Sequence, residues 1–133
     1  MSLVNILIST ALAAMAASAQ APPNLAAGPT TRVLAIGHIA TGATREKVMA
    51  VLPREVRETV RLYLAGKLDQ WFVRRDQNGV VFLLNVSTVE EAREVLDKLP
   101  LGEARLMEFD LIRLGPLTPL SLLLQEPKSP PEK

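Results

Sequence analysis

The sequence predicts an α+β domain in which four strands form one antiparallel sheet and the helices cover one of its faces. Three observations carry this prediction. Four segments have the composition of strands, two of the intervals between them have helical periodicity, and one pair of strands is joined by a hairpin signal. The resulting order of elements is β-α-β-β-α-β.

The first half of the domain is a buried strand followed by helical sequence. Residues 32–40 (RVLAIGHIA) are a continuous apolar run with one histidine, as expected for a central strand that is buried on both faces. Thr44 can cap a short helix that ends near residue 50, and Pro53 suits the first turn of a second helix that ends near Gly66. The apolar side of this second helix, which is predicted to cover the sheet, consists of Val56, Val60, Tyr63 and Leu64.

A hairpin is predicted in the middle of the domain. Residues 68–75 and 80–86 are rich in strand-forming residues and are separated by the sequence Asp-Gln-Asn-Gly. An Asn-Gly pair between two such runs is a strong hairpin signal. The second and third strands are therefore expected to be antiparallel neighbours.

The second helix-strand pair completes the domain. Ser87 and Glu90 match a capping box, which predicts that a helix begins at Ser87 and runs to about residue 99. Pro100 is expected to stop this helix, and Gly102 to turn the chain into a last strand over residues 105–114. The complete order is that of the ferredoxin-like fold.

The face of the sheet that points away from the helices is predicted to be too apolar to remain in water. Burial of apolar surface is worth roughly 25 cal/mol per Å², so covering this face with a second copy contributes several kcal/mol. We therefore expect a two-fold homodimer whose sheets close face to face around a cavity. The last two strands contribute to this face the residues Val81, Leu83, Asn85, Leu106, Glu108, Asp110 and Ile112.

The composition excludes several classes of function. The chain has 133 residues, 48% of them hydrophobic, and a formal net charge of +1, which fits one domain with extensions. Its charges are not clustered, so neither nucleic acid nor membrane is expected as a partner. Cysteine is absent and there is one histidine, which excludes a thiolate nucleophile, a disulfide and a Cys/His zinc site within one chain.

The N-terminal sequence contains no charged side chain before Arg32. Residues 3–15 resemble the apolar region of a secretory signal peptide, and Ala17-Ser18-Ala19 resembles a cleavage site. We predict a signal peptide over residues 1–19, a linker over residues 20–31, and a periplasmic or secreted mature protein. The alternative is an apolar helix that is kept in a cytoplasmic protein and packs on a partner subunit.

The domain is predicted to span residues 32–115 and to be followed by a tail over residues 116–133. The apolar part of the tail, residues 116–124, contains five leucines. We expect this part to dock on a partner subunit, which would build a higher homo-oligomer.

Several short motifs of the chain are shared with a known family. They are Gly66-Lys67 at the end of a helix, Trp71 in the next strand, Leu84-Asn85-Val86, Leu99-Pro100-Leu101, and the Pro-Leu pairs Pro116-Leu117 and Pro119-Leu120. Through these motifs, residues 33–124 resemble the muconolactone isomerase-like proteins of the dimeric α+β barrel superfamily.

The resemblance implies a dimer with a ferredoxin-like fold and an isomerase that moves a proton on a small organic acid or lactone, without a metal or an organic cofactor. A non-catalytic assembly or ligand-sensing module and a cofactor-free monooxygenase of the same superfamily are the alternatives.

Three residues are candidates for proton transfer. The resemblance implies Glu55 as the base, although this residue also fits a solvated helix face beside Arg54, Arg57 and Glu58. His38 is either a proton shuttle near neutral pH or a structural histidine bonded to the backbone. Glu108 is a third candidate base. In an enclosed cavity, its carboxylate and the neighbouring one on the same strand face would repel each other when ionised, so one of them would take up a proton more readily, as a general base does.

Five residues are candidates for substrate binding. Asp110 shares the face of Glu108, and either carboxylate is alternatively paired with Arg74 or Arg105 or placed at a wet rim. Arg74 offers a fork of donors to a substrate carboxylate, whereas an arginine near a hairpin is usually solvated. The remaining candidates are Trp71 and Tyr63, which would otherwise belong to the core or the dimer interface, and Asn85.

The relative placement of these residues discriminates between the functions. A pocket in which His38 or Glu55 lies within hydrogen-bond reach of Glu108 favours an enzyme. A filled interior favours an assembly module.

Overall fold

A computed structural model describes residues 28–118 together with Leu120 and Leu124. The predicted signal peptide, most of the predicted linker and most of the tail lie outside the described residues. The elements in chain order are β1 (Arg32–Ile39), α1 (Arg45–Leu64), β2 (Leu68–Val73), β3 (Gly79–Leu84), α2 (Val89–Asp97), α3 (Pro100–Glu103) and β4 (Met107–Leu114). The four strands form one antiparallel sheet in the order β2-β3-β1-β4, so the ferredoxin-like α+β arrangement expected from the sequence is present.

The main hydrophobic core lies between the helices and one face of the sheet. The central strand β1 contributes Val33 and Ala35, which are fully buried, and β3 contributes Phe82 and Leu84. On the opposite, uncovered face of the sheet, the side chains of β1 are only half-buried. The expectation that β1 is buried on both faces is therefore wrong for the described residues, because none of their helices packs on that second face.

The helical sequence after β1 forms one helix and not the two that were expected. Thr44 caps α1 as predicted, since its Oγ1 accepts a hydrogen bond from the backbone N–H of Lys47 at 3.3 Å. Pro53 lies inside the helix, where its missing N–H removes a single backbone hydrogen bond. The helix continues through this residue because apolar side chains on both sides of it pack on the protein interior, Leu52 on one core cluster and Leu62 on another.

The side of α1 that faces the sheet also differs from the expected one. Glu55 and Thr59 are 5% and 7% exposed, whereas Val56 and Leu64 are 55% and 77% exposed. The stripe predicted to be buried is therefore largely exposed, and Glu55 does not belong to a solvated helix face. The side of α1 that packs on the core instead consists of Val48, Val51, Leu52 and Leu62.

The helix α2 begins one residue later than its sequence predicts. Its N-cap is Thr88 and not Ser87, and the Thr88 Oγ1 accepts a hydrogen bond from the backbone N–H of Glu91 at 3.1 Å. Hydroxyl caps of this kind satisfy a backbone donor that the helix itself leaves unpaired. The Glu91 carboxylate pairs with Lys67 at 3.0 Å, which joins α2 to the end of α1.

The chain between α2 and β4 is a short helix and not the simple turn that was predicted. Gly102 lies inside α3, and the turn is made by Arg105, whose φ is +55°. The backbone N–H of Arg105 donates to the carbonyl of Gly102 at 3.0 Å, and that of Leu106 to the carbonyl of Leu101 at 2.9 Å, which is the Schellman pattern of helix ends. Leu106 consequently precedes β4 and is only 9% exposed, so it does not lie on the uncovered face of the sheet.

Replacing Gly102 by alanine is expected to lower the free energy of unfolding by about 1–3 kcal/mol, the usual cost of overpacking. A Cβ at this position would lie 2.2 Å from the carbonyl oxygen of Leu96, so α3 must move away from α2. Urea unfolding of the variant measures this change. Gly42→Ala is the comparison, because an added methyl there meets no atom within 4 Å and only the φ of +83° disfavours alanine. Equal stability of Gly102→Ala and the wild type would contradict the described packing.

The predicted hairpin between β2 and β3 is present, with the backbone N–H of Arg74 donating to the carbonyl of Gly79 at 3.0 Å. Its Asn-Gly pair does not have the left-handed backbone that a two-residue turn requires, since neither Asn78 nor Gly79 has a positive φ. Gly79 is instead required by packing, because a Cβ there would lie 2.1 Å from the carbonyl oxygen of Gly37 in β1.

No helix within the described residues is long and apolar enough to cross a membrane.

Candidate functional site

The sheet separates the predicted site residues into two groups. Glu55 lies on the helix side, together with Trp71 and Tyr63. His38 lies on the uncovered face, with Glu108 beside it and Asp110 and Arg74 close by. Because the sheet stands between them, Glu55 cannot act together with His38 and Glu108 within one chain.

A cavity of about 320 Å³ lies between α1 and the helix side of the sheet. Glu55 is the only ionisable residue in its lining. Thr59, with its hydroxyl, and Trp71, with its indole N–H, are the only other lining residues that have polar side-chain atoms. A small, mostly apolar pocket with one or two polar groups is the usual form of a ligand site. The other lining residues are Leu52, Val56, Val60, Val73, Val80, Phe82, Leu101 and Met107.

The Glu55 carboxylate is held in place at the edge of this cavity. Its Oε2 accepts a hydrogen bond from the backbone N–H of Leu101 at 2.7 Å. Its Oε1 receives no hydrogen bond from the described residues and is not sealed from solvent. Burial raises the pKa of Glu55 above its ordinary value, and the Leu101 N–H and the positive charge of Arg54 oppose this rise only in part.

Thr59 and Leu101 were not singled out by the sequence. The Thr59 hydroxyl donates to the backbone carbonyl of Glu55 at 2.9 Å, and the two residues are one helical turn apart. Their spacing of four could have indicated that Thr59 shares the face of Glu55. Nothing local could have indicated Leu101, because its N–H reaches Glu55 only through the packing of α3 on α1.

Trp71 and Tyr63 form the aromatic edge of the cavity. Their rings are in a T-shaped contact with centroids 4.6 Å apart, and Trp71 lines the cavity directly. Trp71 is 42% exposed and Tyr63 is 46% exposed, so neither residue belongs to the closed core. Trp71 therefore lines a pocket, whereas Tyr63 is joined to it only through its contact with Trp71.

The second group is an ionic cluster on the uncovered face of the sheet. The Nε2 of His38 lies 3.4 Å from Oε2 of Glu108, and its Nδ1 lies 4.0 Å from Oδ2 of Asp110. The strand register explains these contacts, because His38 of β1 is paired with Glu108 of β4. Both carboxylates have exposed side chains in the single chain.

Arg74 lies at the edge of this ionic cluster but is already paired. It binds both carboxylate oxygens of Asp76, at 3.0 Å and 2.5 Å. This pairing lowers the pKa of Asp76 to about 2. Asp76 engages only Nε and Nη2 of Arg74, so a substrate carboxylate would have to use the remaining N–H groups or displace Asp76. Neither Glu108 nor Asp110 forms an ion pair with Arg74.

Asn85 belongs to neither group. Its side-chain amide donates to the carbonyl of Gly66 at 2.9 Å, and its backbone N–H donates to the carbonyl of Lys67 at 2.9 Å. These bonds hold the turn between α1 and β2. The described contacts of Asn85 are therefore structural.

The described residues define a ferredoxin-like α+β protein with a buried carboxylate facing a small apolar cavity. Within the described part of the chain, no group of three or more His, Cys, Asp or Glu side chains is placed to hold a metal ion.

Comparison with known proteins gives a likeness of fold alone. No protein-family model matches the chain, and no curated protein matches it. A solved structure that it is similar to is 5-chloro-2-hydroxyhydroquinone dehydrochlorinase (TftG) from Burkholderia phenoliruptrix AC1100, in complex with 2,5-dihydroxybenzoquinone. The identity is 13%, the TM-score is 0.48, and the match covers 63% of this chain and 93% of that chain.

Proposed function

We propose that this protein is a cofactor-free, muconolactone isomerase-like enzyme that moves a proton on a small organic acid or lactone, with Glu55 as the base. The observation that carries the proposal is the buried Glu55 carboxylate at the edge of an otherwise almost apolar cavity. This side chain is the one titratable group that the cavity offers to a bound molecule.

The environment of Glu55 suits a general base. A carboxylate that is poorly solvated takes up a proton more readily, and a pKa raised toward neutrality matches a base to its operating pH. The Leu101 N–H holds Oε2, which leaves Oε1 to accept the proton from carbon. The apolar lining suits the uncharged ring of a substrate such as a lactone.

Removal of that proton places negative charge on the carbonyl oxygen of the substrate, and this oxygen then needs a hydrogen-bond donor. Trp71 lines the cavity and carries an indole N–H that can donate to this oxygen. Tyr63 does not line the cavity, but its ring packs against Trp71 and brings a second donor, its hydroxyl, into the same aromatic pair. We assign Trp71 and Tyr63 to substrate binding.

We further propose that a second copy of the chain covers the open face of the sheet. Phe72 and Ile112 are 57% and 45% exposed on that face, beside the half-buried Ile36 and Val81. Exposed apolar surface of this extent is typical of an interface. Leu117, Leu120 and Leu124 of the tail are also exposed and would dock on the partner.

A second candidate function is a non-catalytic, oligomeric ligand-binding module. It is favoured because His38 lies 3.4 Å from Glu108 on the open face and not in a pocket, so the cluster of His38, Glu108 and Asp110 would lie in the proposed dimer interface and set its register. In this case the cavity beside Glu55 binds a ligand without turnover.

Incorporation of deuterium into muconolactone in D₂O, followed by ¹H NMR, tests the proposed reaction. We expect exchange at the carbon next to the carbonyl, together with migration of the double bond. Saturable binding without exchange would support the ligand-binding module and overturn the isomerase. A protein that neither binds nor exchanges any of a panel of small lactones and organic acids would overturn both.

A further inference from the structure

A second cavity, of about 390 Å³, lies on the helix side of the sheet next to the edge strand β4. Its apolar floor consists of Leu96, Met107, Phe109 and Leu111, and Arg93 and Arg105 also line it. Both arginines are exposed, and neither forms an ion pair or a hydrogen bond through its side chain with the described residues. Two unpaired guanidinium groups thus border one apolar surface.

The backbone of Arg105 adds an independent observation. With its φ of +55°, this residue occupies the left-handed position that ends α3, where glycine is strongly favoured because it has no Cβ. Arg105 is the only non-glycine residue with a positive φ among the described residues. Strained backbone positions cluster at functional sites, where the surrounding structure holds them in place.

The balance of charge in this cavity is positive. Asp97 lines it with the opposite charge, and it makes no ion pair with either arginine. Glu108 also contributes to the lining, but its carboxylate is directed to the other face of the sheet, 3.4 Å from His38. Two positive side chains therefore face one negative side chain above the apolar floor.

We propose that the cavity bordered by Arg93 and Arg105 binds a small organic anion whose apolar body lies on Phe109 and Leu111. The guanidinium groups bind its carboxylate through charge-assisted hydrogen bonds. This site shares Met107 with the Glu55 cavity but not its arginines, Phe109 or Leu111, and its occupancy does not depend on any reaction there.

Benzoate and its neutral analogue benzamide are matched probes for this site. We expect benzoate to shift the amide NMR signals of Phe109 and Leu111 saturably and benzamide to bind at least about fivefold more weakly. Arg93→Gln and Arg105→Gln should each weaken benzoate binding about fivefold, and Asp97→Asn should tighten it. Arg57→Gln, which removes an exposed arginine of α1 outside this cavity, should leave the affinity unchanged.

Arg105→Gly distinguishes the effect of the Arg105 side chain on benzoate binding from its effect on stability. It should raise the urea concentration at half-unfolding, because glycine adopts the left-handed backbone without strain, while it weakens benzoate binding as Arg105→Gln does. Equal affinity for benzoate and benzamide, shifts centred on residues of the Glu55 cavity, or unchanged binding by the Arg93 and Arg105 variants would each overturn the proposal.

Discussion

Replacing Glu55 by glutamine is expected to lower kcat for proton exchange by roughly 10²–10⁴-fold, the usual contribution of a general base. The glutamine side chain has nearly the same shape, and its carbonyl oxygen can still accept the hydrogen bond from the Leu101 N–H that Glu55 receives at 2.7 Å. It cannot accept a proton from carbon. The rate therefore falls while the fold and the cavity remain, which circular dichroism and NMR of the variant would verify.

Two kinds of control isolate the role of Glu55. Glu58→Gln changes a carboxylate of the same helix that pairs with Arg61 at 2.5 Å and does not line the cavity, so kcat should not change. His38→Gln and Glu108→Gln alter the opposite face of the sheet, and we expect them to leave kcat within about a factor of three. A loss of rate in Glu108→Gln that equals the loss in Glu55→Gln would place the base on the open face and refute the assignment.

The raised pKa of Glu55 also determines the pH dependence of both stability and rate. Above pH 4.5, its ordinary pKa, the unfolded chain loses this proton while the folded protein keeps it. The contribution of Glu55 to stability is thus complete below that pH and is lost as the pH rises through the folded pKa. Because the base must be ionised, kcat/KM should rise with pH over the upper part of the same interval.

Urea unfolding of the wild type and Glu55→Gln across this pH range measures the linkage. The stability difference between the two proteins should shift in favour of the glutamine variant as the pH increases. A shift in the opposite direction would mean that the hydrogen bond from Leu101 outweighs burial and that the pKa of Glu55 is lowered.

Replacing Phe72 by aspartate is expected to weaken the proposed dimer by roughly 10³-fold. Phe72 lies on the open face of the edge strand β2, is 57% exposed, and is paired in register with Val81. In a two-fold dimer each substitution occurs twice, and about 2 kcal/mol for each buried charge gives about 4 kcal/mol in total. Sedimentation equilibrium at several protein concentrations measures the dissociation constant.

The neighbouring residue provides a matched control for this substitution. Val73 is 69% exposed and projects to the helix side of the same strand, so Val73→Asp should leave the dissociation constant unchanged. A wild-type protein that remains monomeric at high concentration, or an equal effect of the two substitutions, would contradict a dimer formed through the open face.

The nature and order of the secondary-structure elements were predictable because they depend on local patterns. Apolar runs rich in strand-forming residues identified the strands, and Thr44 marked the beginning of α1. Local patterns were less reliable where packing competes with them. Pro53 did not divide the helix, and Gly102 is required by the nearby carbonyl of Leu96 and not by a turn.

The amino-acid sequence by itself determined the α+β class, the antiparallel hairpin and the presence of both polar and apolar residues on the open face of the sheet. Only the tertiary structure decided which side of α1 is buried, and therefore that Glu55 faces a cavity and not solvent. It also decided that Glu55 and Glu108 lie on opposite faces of the sheet. The physical reason is that periodicity shows only which residues share one side of a helix or strand. Whether that side faces the core or solvent depends on contacts between elements that are distant in sequence, such as the hydrogen bond from the Leu101 N–H to Glu55.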